Sequence, residues 1–175
     1  DQNGSFTDKT FSAGLGQPSL ELLGFGTKFV DINLDGWLDI FIVNGNVIDN
    51  IALFNKDYSH AQRKQIFINQ GDGTYEENKS ANALNKKSVG RGAAFGDVDN
   101  DGDIDIVVGN AGGINHYFLS NGTNFNQYEF GSIENVTYGV SVGDLNGDNY
   151  PDIVTANSGS QNIIYLNQPA NNLDR

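Results

Sequence analysis

The sequence contains no cysteine and no methionine, only three prolines and two histidines, and ten basic residues against 22 acidic ones. Without cysteine there is no disulfide framework to indicate a compartment and no thiol nucleophile. The formal charge of −12 argues against nucleic acid or an anionic membrane as partner, because both are bound through basic patches. No apolar run approaches the length of a membrane span, and no signal peptide is recognisable. The chain begins at Asp1 rather than Met, as expected of a processed product or an excerpt.

Glycine is abundant, with 22 residues, and asparagine is frequent. A hydrophobic content of 38% with 11% aromatic residues is ordinary for a folded protein. Many glycines and asparagines, few prolines and no apolar stripe of helical period indicate short strands joined by tight turns. The sequence therefore predicts an all-β fold.

The most acidic stretch, Asp97 to Asp105, carries five carboxylates within nine residues. Such a loop repels itself unless a cation lies among the carboxylates. Alternating oxygen ligands around a turn glycine favour a hard cation, calcium above all. We expect the ligands to be the carboxylates of Asp97, Asp99, Asp101 and Asp105, with the main-chain carbonyl of Asp103 between them.

Two further loops share the pattern D-x-[DN]-x-D-[GN]-x-x-D, and three copies at one spacing make an ordinary solvated turn a poor explanation. In each copy, positions 1, 3, 5 and 9 supply the side-chain ligands and position 7 a main-chain oxygen. These residues are Asp31, Asn33, Asp35, Asp39 and Trp37 in the first loop, and Asp144, Asn146, Asp148, Asp152 and Tyr150 in the third. We therefore expect three calcium ions, which would halve the formal charge of −12.

An EF-hand loop also begins D-x-D-x-D-G, but it requires a glutamate at position twelve and helices on both sides. Position twelve is Ile42, Val108 or Thr155 here, and each loop leads into a β-branched run typical of a strand. The loops are therefore interpreted as connections between strands. In the third loop Asn149 replaces the turn glycine, which asparagine tolerates because it enters the left-handed region more readily than most residues.

The spacing of the loops predicts repeated units. Their first aspartates are 66 and then 47 residues apart, and the longer step contains a polar stretch, 44–64, interpreted as a surface excursion. A period near 45 residues with four short strands is typical of β-propeller blades, here with the calcium loop between the first two strands. We expect one propeller region over 1–175, with blades near 24–80, 90–131 and 137–168.

The two ends of the chain are expected to be incomplete. Residues 3–15 repeat 71–84 in outline, so 1–15 are interpreted as an outer strand, near Phe6, of a preceding or neighbouring blade. The last blade stops after a strand at Ile163 to Leu166, and about three blades are too few for a closed propeller. Either the chain is an excerpt, favoured because propellers are usually single chains, or copies exchange the terminal strand to form a ring or filament.

The loops with their flanking strands resemble the FG-GAP or VCBS repeats of integrin α-type propellers, and the Phe25-Gly26 and Phe95-Gly96 pairs fit that name. The stretches GFGTKFVDINLDGWLDIFIVNGNV, IFINQGDGTYEE and GRGAAFGDVDNDGDIDIVVGN are similar to the cartilage acidic protein and ASPIC/UnbV group. The resemblance implies a secreted or cell-surface protein that acts in adhesion or assembly on an unidentified protein or glycan ligand. The C-terminal domain typical of that group is missing.

The sequence argues against catalysis by this chain. It has no G-x-S-x-G motif, little histidine, and its clustered carboxylates are already assigned to calcium. The alternative is a propeller part, non-catalytic or cofactor-carrying, of a larger secreted enzyme. Glycosylation sequons at Asn3, Asn78, Asn121 and Asn135 are consistent with a secreted glycoprotein.

Overall fold

The computed structural model describes residues 4–122 and 124–168, which form three antiparallel β-sheets. Blade 1 contains β1 (Gly24–Val30), β2 (Asp39–Asn44), β3 (Gln65–Asn69) and β4 (Tyr75–Glu77). Blade 2 contains β5 (Gly90–Gly96), β6 (Asp105–Asn110), β7 (Asn115–Ser120) and β8 (Phe125–Phe130). Blade 3 contains β9 (Val136–Gly143), β10 (Asp152–Ser158) and β11 (Ile163–Tyr165). Helix in the described residues is limited to α1 (Gly16–Ser19) and a short 3-10 turn at Ile51–Leu53. The expected all-β fold of propeller blades is confirmed.

Each blade is a meander in which strands that follow one another in the sequence pair in the sheet. Blades 1 and 2 have four strands, whereas blade 3 has three within the described residues. The hairpin expected at Asn121-Gly122 is formed, with Ser120 opposite Phe125. The third blade therefore ends at β11, whose outer edge has no partner strand among residues 4–122 and 124–168.

The blades stack face to face, and the burial of the residues of β6 shows how the middle blade contacts the other two. All six residues of β6 are buried. Ile106 and Val108 belong to a core shared with blade 1, and Val107 belongs to a core shared with blade 3. Burial of both faces explains why this strand reads as a continuous β-branched run rather than an alternating one.

The core between blades 1 and 2 is the larger of the two cores, and it includes the fully buried Phe41 and Phe118. Phe41 meets the ring of Phe95 edge to face, with centroids 5.4 Å apart.

The first strands of the three blades contact one another in order, β1 with β5 and β5 with β9. The Asn100 side chain donates to the main-chain oxygen of Asn149 (3.1 Å), so the loops after these strands lie together at one end of blades 2 and 3.

The N-terminal residues do not form the strand expected around Phe6 within this chain. Residues 4–9 have no regular secondary structure, and Phe6 is fully exposed. The turn that follows instead lies against blade 1, where Ala13 accepts from the amide of Tyr75 (2.9 Å). A strand needs a partner edge, and the described parts of the chain offer none at that place. Pairing of this segment with another blade stays a prediction.

The stretch 44–64 leaves the sheet as expected, but only its middle is a surface excursion. Its far end is held by a bridge between Gln62 and Ser88, and the Gln62 side chain accepts from the amide of Leu23 (2.8 Å). Gln62 and Lys64 are both buried. The returning limb is therefore part of the blade 1 packing.

Among the described residues there is no helix with the length and apolarity that crossing a membrane requires.

Candidate metal centres

Three acidic loops connect the first and second strands of the three blades. Loop 1 (31–39) joins β1 to β2, loop 2 (97–105) joins β5 to β6, and loop 3 (144–152) joins β9 to β10. The ninth residue of each loop is also the first residue of the second strand. The repeat positions expected from the sequence therefore occupy equivalent places in the fold.

Loop 2 brings three carboxylates together. One carboxylate oxygen from each of Asp97, Asp99 and Asp105 lies within 4.8 Å of the others, a spacing that could hold a metal ion. Burial, followed by the charge of Asp101, raises the pKa of the Asp99 carboxyl. Burial raises the pKa of Asp105 to about 6 despite two hydrogen bonds from backbone amides. The cluster therefore holds negative charge at a cost that a bound cation would remove.

Asp101, expected as a ligand, lies outside this group of three, and its Oδ1 accepts from the amide of Asp103 (2.9 Å). The described residues contain two ion pairs, from Arg63 and from Lys79 to Glu77. Neither of these pairs neutralises the loop, so its carboxylates have no basic partner among those residues.

The aspartate at position 1 of each loop accepts hydrogen bonds from backbone amides of the turn. The two oxygens of Asp97 accept from the amides of Asp101 (2.9 Å) and Gly102 (3.0 Å). Asp31 and Asp144 accept from the amides at the same two positions of their own loops. Each position 5 carboxylate accepts from the amide at position 7, namely Trp37, Asp103 or Tyr150. All three loops are thus ordered by the same internal bonds.

Loops 1 and 3 differ from loop 2 at position 3, where they have asparagine in place of aspartate. The amide nitrogen of Asn33 donates to Asp35 (2.8 Å), and that of Asn146 donates to Asp148 (2.9 Å). Asp99 cannot donate in this way when ionised. Among the described residues, no group of three carboxylates forms in loop 1 or loop 3. Each of these loops satisfies part of its charge internally.

Position 9 has a structural role that the sequence did not reveal. Asp105 is fully buried, and its two oxygens accept from the amides of Val98 (2.7 Å) and Ser120 (2.8 Å). Asp39 and Asp152 are also fully buried and bind the equivalent amides. Each carboxylate joins the start of its loop to the end of the third strand. The amides at or just after the end of the third strand are 15 or more residues away in the sequence, so spacing within the loop could not show those bonds.

Each loop contains two residues with left-handed backbone, at positions 4 and 6. They are Leu34 and Gly36, Asn100 and Gly102, and Gly147 and Asn149. The left-handed conformation expected for Asn149 is confirmed, with φ of 69°. The sequence did not predict left-handed backbone at position 4 of the loops, because a leucine such as Leu34 does not indicate this conformation.

The donor chemistry of loop 2 fits a hard cation, since carboxylates on a tight turn are the ligands that calcium prefers. Loops 1 and 3 each offer carboxyl groups at positions 1 and 5, with the position 9 carboxyl group held by backbone amides. For their Asn residues to bind an ion through oxygen, the bonds to the neighbouring aspartates would have to change.

The sequons differ in exposure. Asn121 is exposed in the hairpin turn of blade 2, whereas Asn135 is buried. The Oδ1 of Asn78 accepts from the amide and hydroxyl of Ser80. Asn3 lies outside the described residues.

The model of the FG-GAP-like repeat matches residues 31–108 and 97–155, which together cover more than half of the sequence. Cartilage acidic protein 1 of Xenopus tropicalis is 40% identical over 60 residues, covering 34% of this chain and 9% of that protein. The chain thus spans a small part of that relative's length. All three loops fall within the matched ranges, and the chain belongs to the FG-GAP-like repeat family.

Proposed function

We propose that this chain is a calcium-stabilised, non-catalytic β-propeller module that serves as a binding scaffold in an extracellular or cell-surface protein. The observation that carries the proposal is the group of Asp97, Asp99 and Asp105 in loop 2, whose carboxylates converge without a basic partner among the described residues. An ion that binds the folded chain alone stabilises it by mass action.

In loop 2 the proposed ligands are the carboxylates of Asp97, Asp99, Asp101 and Asp105, with the main-chain oxygen of Asp103. Calcium affinity rises with the number of charged ligands. Loop 2 offers four carboxylates, and loops 1 and 3 offer three each with Asn33 or Asn146 in place of the fourth. We therefore propose one tighter site and two weaker ones.

Weak sites of this kind suit an extracellular setting, where calcium modules work at about 10⁻⁴–10⁻³ M. The proposed partner is a protein or glycan in adhesion or assembly, since the charge of −12 disfavours nucleic acid. The name of the matched relative, cartilage acidic protein 1, is compatible with such a setting.

A non-catalytic role is supported by where two basic groups with lowered pKa values, Lys64 and His116, lie. Burial lowers the pKa of Lys64 to about 8 and that of His116 to about 4. Lys64 is almost wholly buried, and its ammonium donates to the main-chain oxygen of Lys86 (3.0 Å) rather than to a carboxylate. Neither Lys64 nor His116 lines any of the four main cavities in the described residues. A lysine as deeply buried as Lys64 is out of reach of a substrate and does not support catalysis.

The test is a calcium titration by calorimetry together with thermal unfolding in calcium and in chelator. We expect three ions per chain, and each site adds about 2.7 kcal/mol to the unfolding free energy when free calcium is about 100 times its Kd. Asp99→Asn should weaken the tightest site and leave the other two. Asp49→Asn, which changes an exposed carboxylate outside the loops, is the matched control. Absence of binding heat with identical melting curves would show the proposal to be wrong.

A further inference from the structure

Loop 1 exposes apolar side chains at two positions where loop 2 has polar ones. Leu34, at position 4, is 57% exposed, and Trp37, at position 7, is 54% exposed. The equivalent residues of loop 2 are Asn100 and Asp103. In all three loops the position 7 amide makes the same hydrogen bond to the carboxylate at position 5. The fold of the loop therefore requires neither a leucine nor an indole at these positions.

The backbone at Leu34 is strained as well as exposed. Its φ is 55°, whereas the equivalent Asn100 and Gly147 are residue types that adopt the left-handed conformation more readily. A leucine at this position lowers the stability of the folded chain and leaves its own side chain largely in solvent. Backbone strain of this kind occurs preferentially at functional sites. The Leu34 side chain is therefore a candidate contact for a ligand.

The indole of Trp37 lies against a neighbouring turn. A Cβ placed on Gly71, in the turn between β3 and β4, would be 3.4 Å from both Nε1 and Cε2 of the ring. In blade 2 the carboxylate of Asp103 lies beside Gly122, in the equivalent turn. The turn restrains the indole on one side, while more than half of the tryptophan stays exposed. Loop 1 thus presents a flat apolar surface to solvent.

Two exposed carboxylates accompany this apolar surface. Asp35 precedes Trp37 by two residues, and Asp72 follows Gly71 in the turn on which the indole packs. Hydrogen bonds from the hydroxyl and the amide of Thr74 lower the pKa of the Asp72 carboxyl, so this group is ionised at neutral pH. The indole is therefore flanked by hydrogen-bond acceptors that carry negative charge.

One aromatic face beside carboxylates suits a sugar better than a protein surface. At protein interfaces a tryptophan anchor lies within a patch of contacts that exclude water. A pyranose ring with equatorial hydroxyls has C–H faces that stack on an indole and a rim of hydroxyl groups that donate to carboxylates. Chains of such rings in β-1,4 linkage are flat, so neighbouring rings can contact one surface. The carboxylates and the formal charge of −12 disfavour a sulfated or uronic acid glycan.

We propose that loop 1 is a binding site for a neutral, β-linked glycan of gluco configuration. One sugar ring stacks on the exposed face of Trp37, Leu34 contacts the adjoining ring, and Asp72 accepts hydrogen bonds from hydroxyl groups. The metal ligand proposed at position 7 is a main-chain oxygen, so the indole remains available to the sugar. This inference rests on the proposed binding function, for which it names the class of ligand.

The test uses Trp37, the single tryptophan of the chain, as a reporter. Cellotetraose and chitotetraose are titrated into the full chain in excess calcium while tryptophan fluorescence is recorded. Stacking of a sugar should shift the emission to shorter wavelength and saturate with at least one of these probes. A heparin tetrasaccharide, which is sulfated, should bind more weakly. Calcium binding is measured separately by calorimetry, so failure of the calcium sites and failure of the glycan site are distinguishable. No saturable change with either neutral probe, or tighter binding of heparin, would overturn the proposal.

The other two loops supply matched variants, since they carry aspartate and tyrosine at position 7. Measured by calorimetry, Trp37→Asp should weaken binding of the neutral probe at least about 10-fold, whereas Trp37→Tyr should keep most of the affinity because it retains an aromatic face. Leu34→Asn should weaken binding while raising the melting temperature, which separates a ligand contact from a structural role. Phe54→Ala, which removes a phenylalanine that is 77% exposed outside the loops, is the control and should bind like the wild type. Wild-type affinity of Trp37→Asp or of Leu34→Asn would contradict the proposal.

Discussion

The left-handed backbone positions of the acidic loops allow a sharp test of the argument from backbone conformation. Gly147 in loop 3 has φ of 79°, and a Cβ placed there would meet no atom within 4 Å. Gly143, at the end of β9, is equally open to a Cβ but does not have left-handed backbone. Alanine at the two positions therefore differs in backbone conformation and not in packing.

The expected difference can be estimated. A left-handed conformation costs a residue with a Cβ roughly 1–2 kcal/mol. Replacing glycine also reduces the entropy of the unfolded chain, which stabilises by about 0.4–1 kcal/mol and applies to both variants. Gly147→Ala should therefore be less stable than Gly143→Ala by about 1–2 kcal/mol, which corresponds to roughly 2–8 °C in Tm for a chain of this size.

The assay is urea unfolding of both variants in excess chelator, followed by circular dichroism. Chelator removes any contribution of a bound ion, and an unchanged slope against urea shows that the midpoints report stability. The reverse change, Leu34→Asn in loop 1, should stabilise by about 0.5–1 kcal/mol, because asparagine tolerates φ near 55° better than leucine. Equal stability of the two alanine variants would refute the reasoning.

Two further predictions concern buried charges. Because burial raises the pKa of Asp105 to about 6, the folded chain binds more protons than the unfolded chain between about pH 4 and 6, so stability falls as pH rises through this window. Asp105→Asn should show a smaller fall than the wild type when both are melted in chelator, because Asp39 and Asp99, whose pKa values burial also raises, remain. Because burial lowers the pKa of Lys64 to about 8, the unfolding free energy should rise from pH 8 to 10. Lys64→Met should remove this rise and should raise the unfolding free energy at pH 7 by up to about 3 kcal/mol. A wild-type melting temperature that does not change over either pH range would contradict the corresponding assignment.

The sequence predicted the blades because their signals are local. A β-branched run after each acidic loop and the turn at Asn121-Gly122 depend on neighbouring residues, and both were found as strands and a hairpin. The strand near Phe6 has equally good local signals but is absent from this chain. Its formation depends on an edge that must come from elsewhere, and no local pattern carries that information.

The sequence predicted where the three acidic loops lie between strands but not all of the hydrogen bonds that they make, and their binding of metal stays a prediction. The spacing placed Asp97, Asp99 and Asp105 in one group, and it also assigned Asp101, which lies outside that group. The pattern could not show that position 9 binds amides at the end of the third strand, since those contacts arise from the fold. The sequence pattern also could not show that Lys64 is buried, because a lysine in a polar stretch is expected to be exposed to solvent.

Because of the aspartate at position 9, the number of blades need not equal the number of proposed metal sites. Its bonds to Val98 and Ser120, and the equivalent bonds in the other blades, hold three strands together through backbone amides alone. A repeat could therefore lose positions 1, 3 and 5 by mutation and keep its place in the sheet stack, provided position 9 remained. Counting intact acidic loops in related sequences would then underestimate the blades, whereas an isolated aspartate at the start of a β-branched run would mark a blade that no longer binds metal.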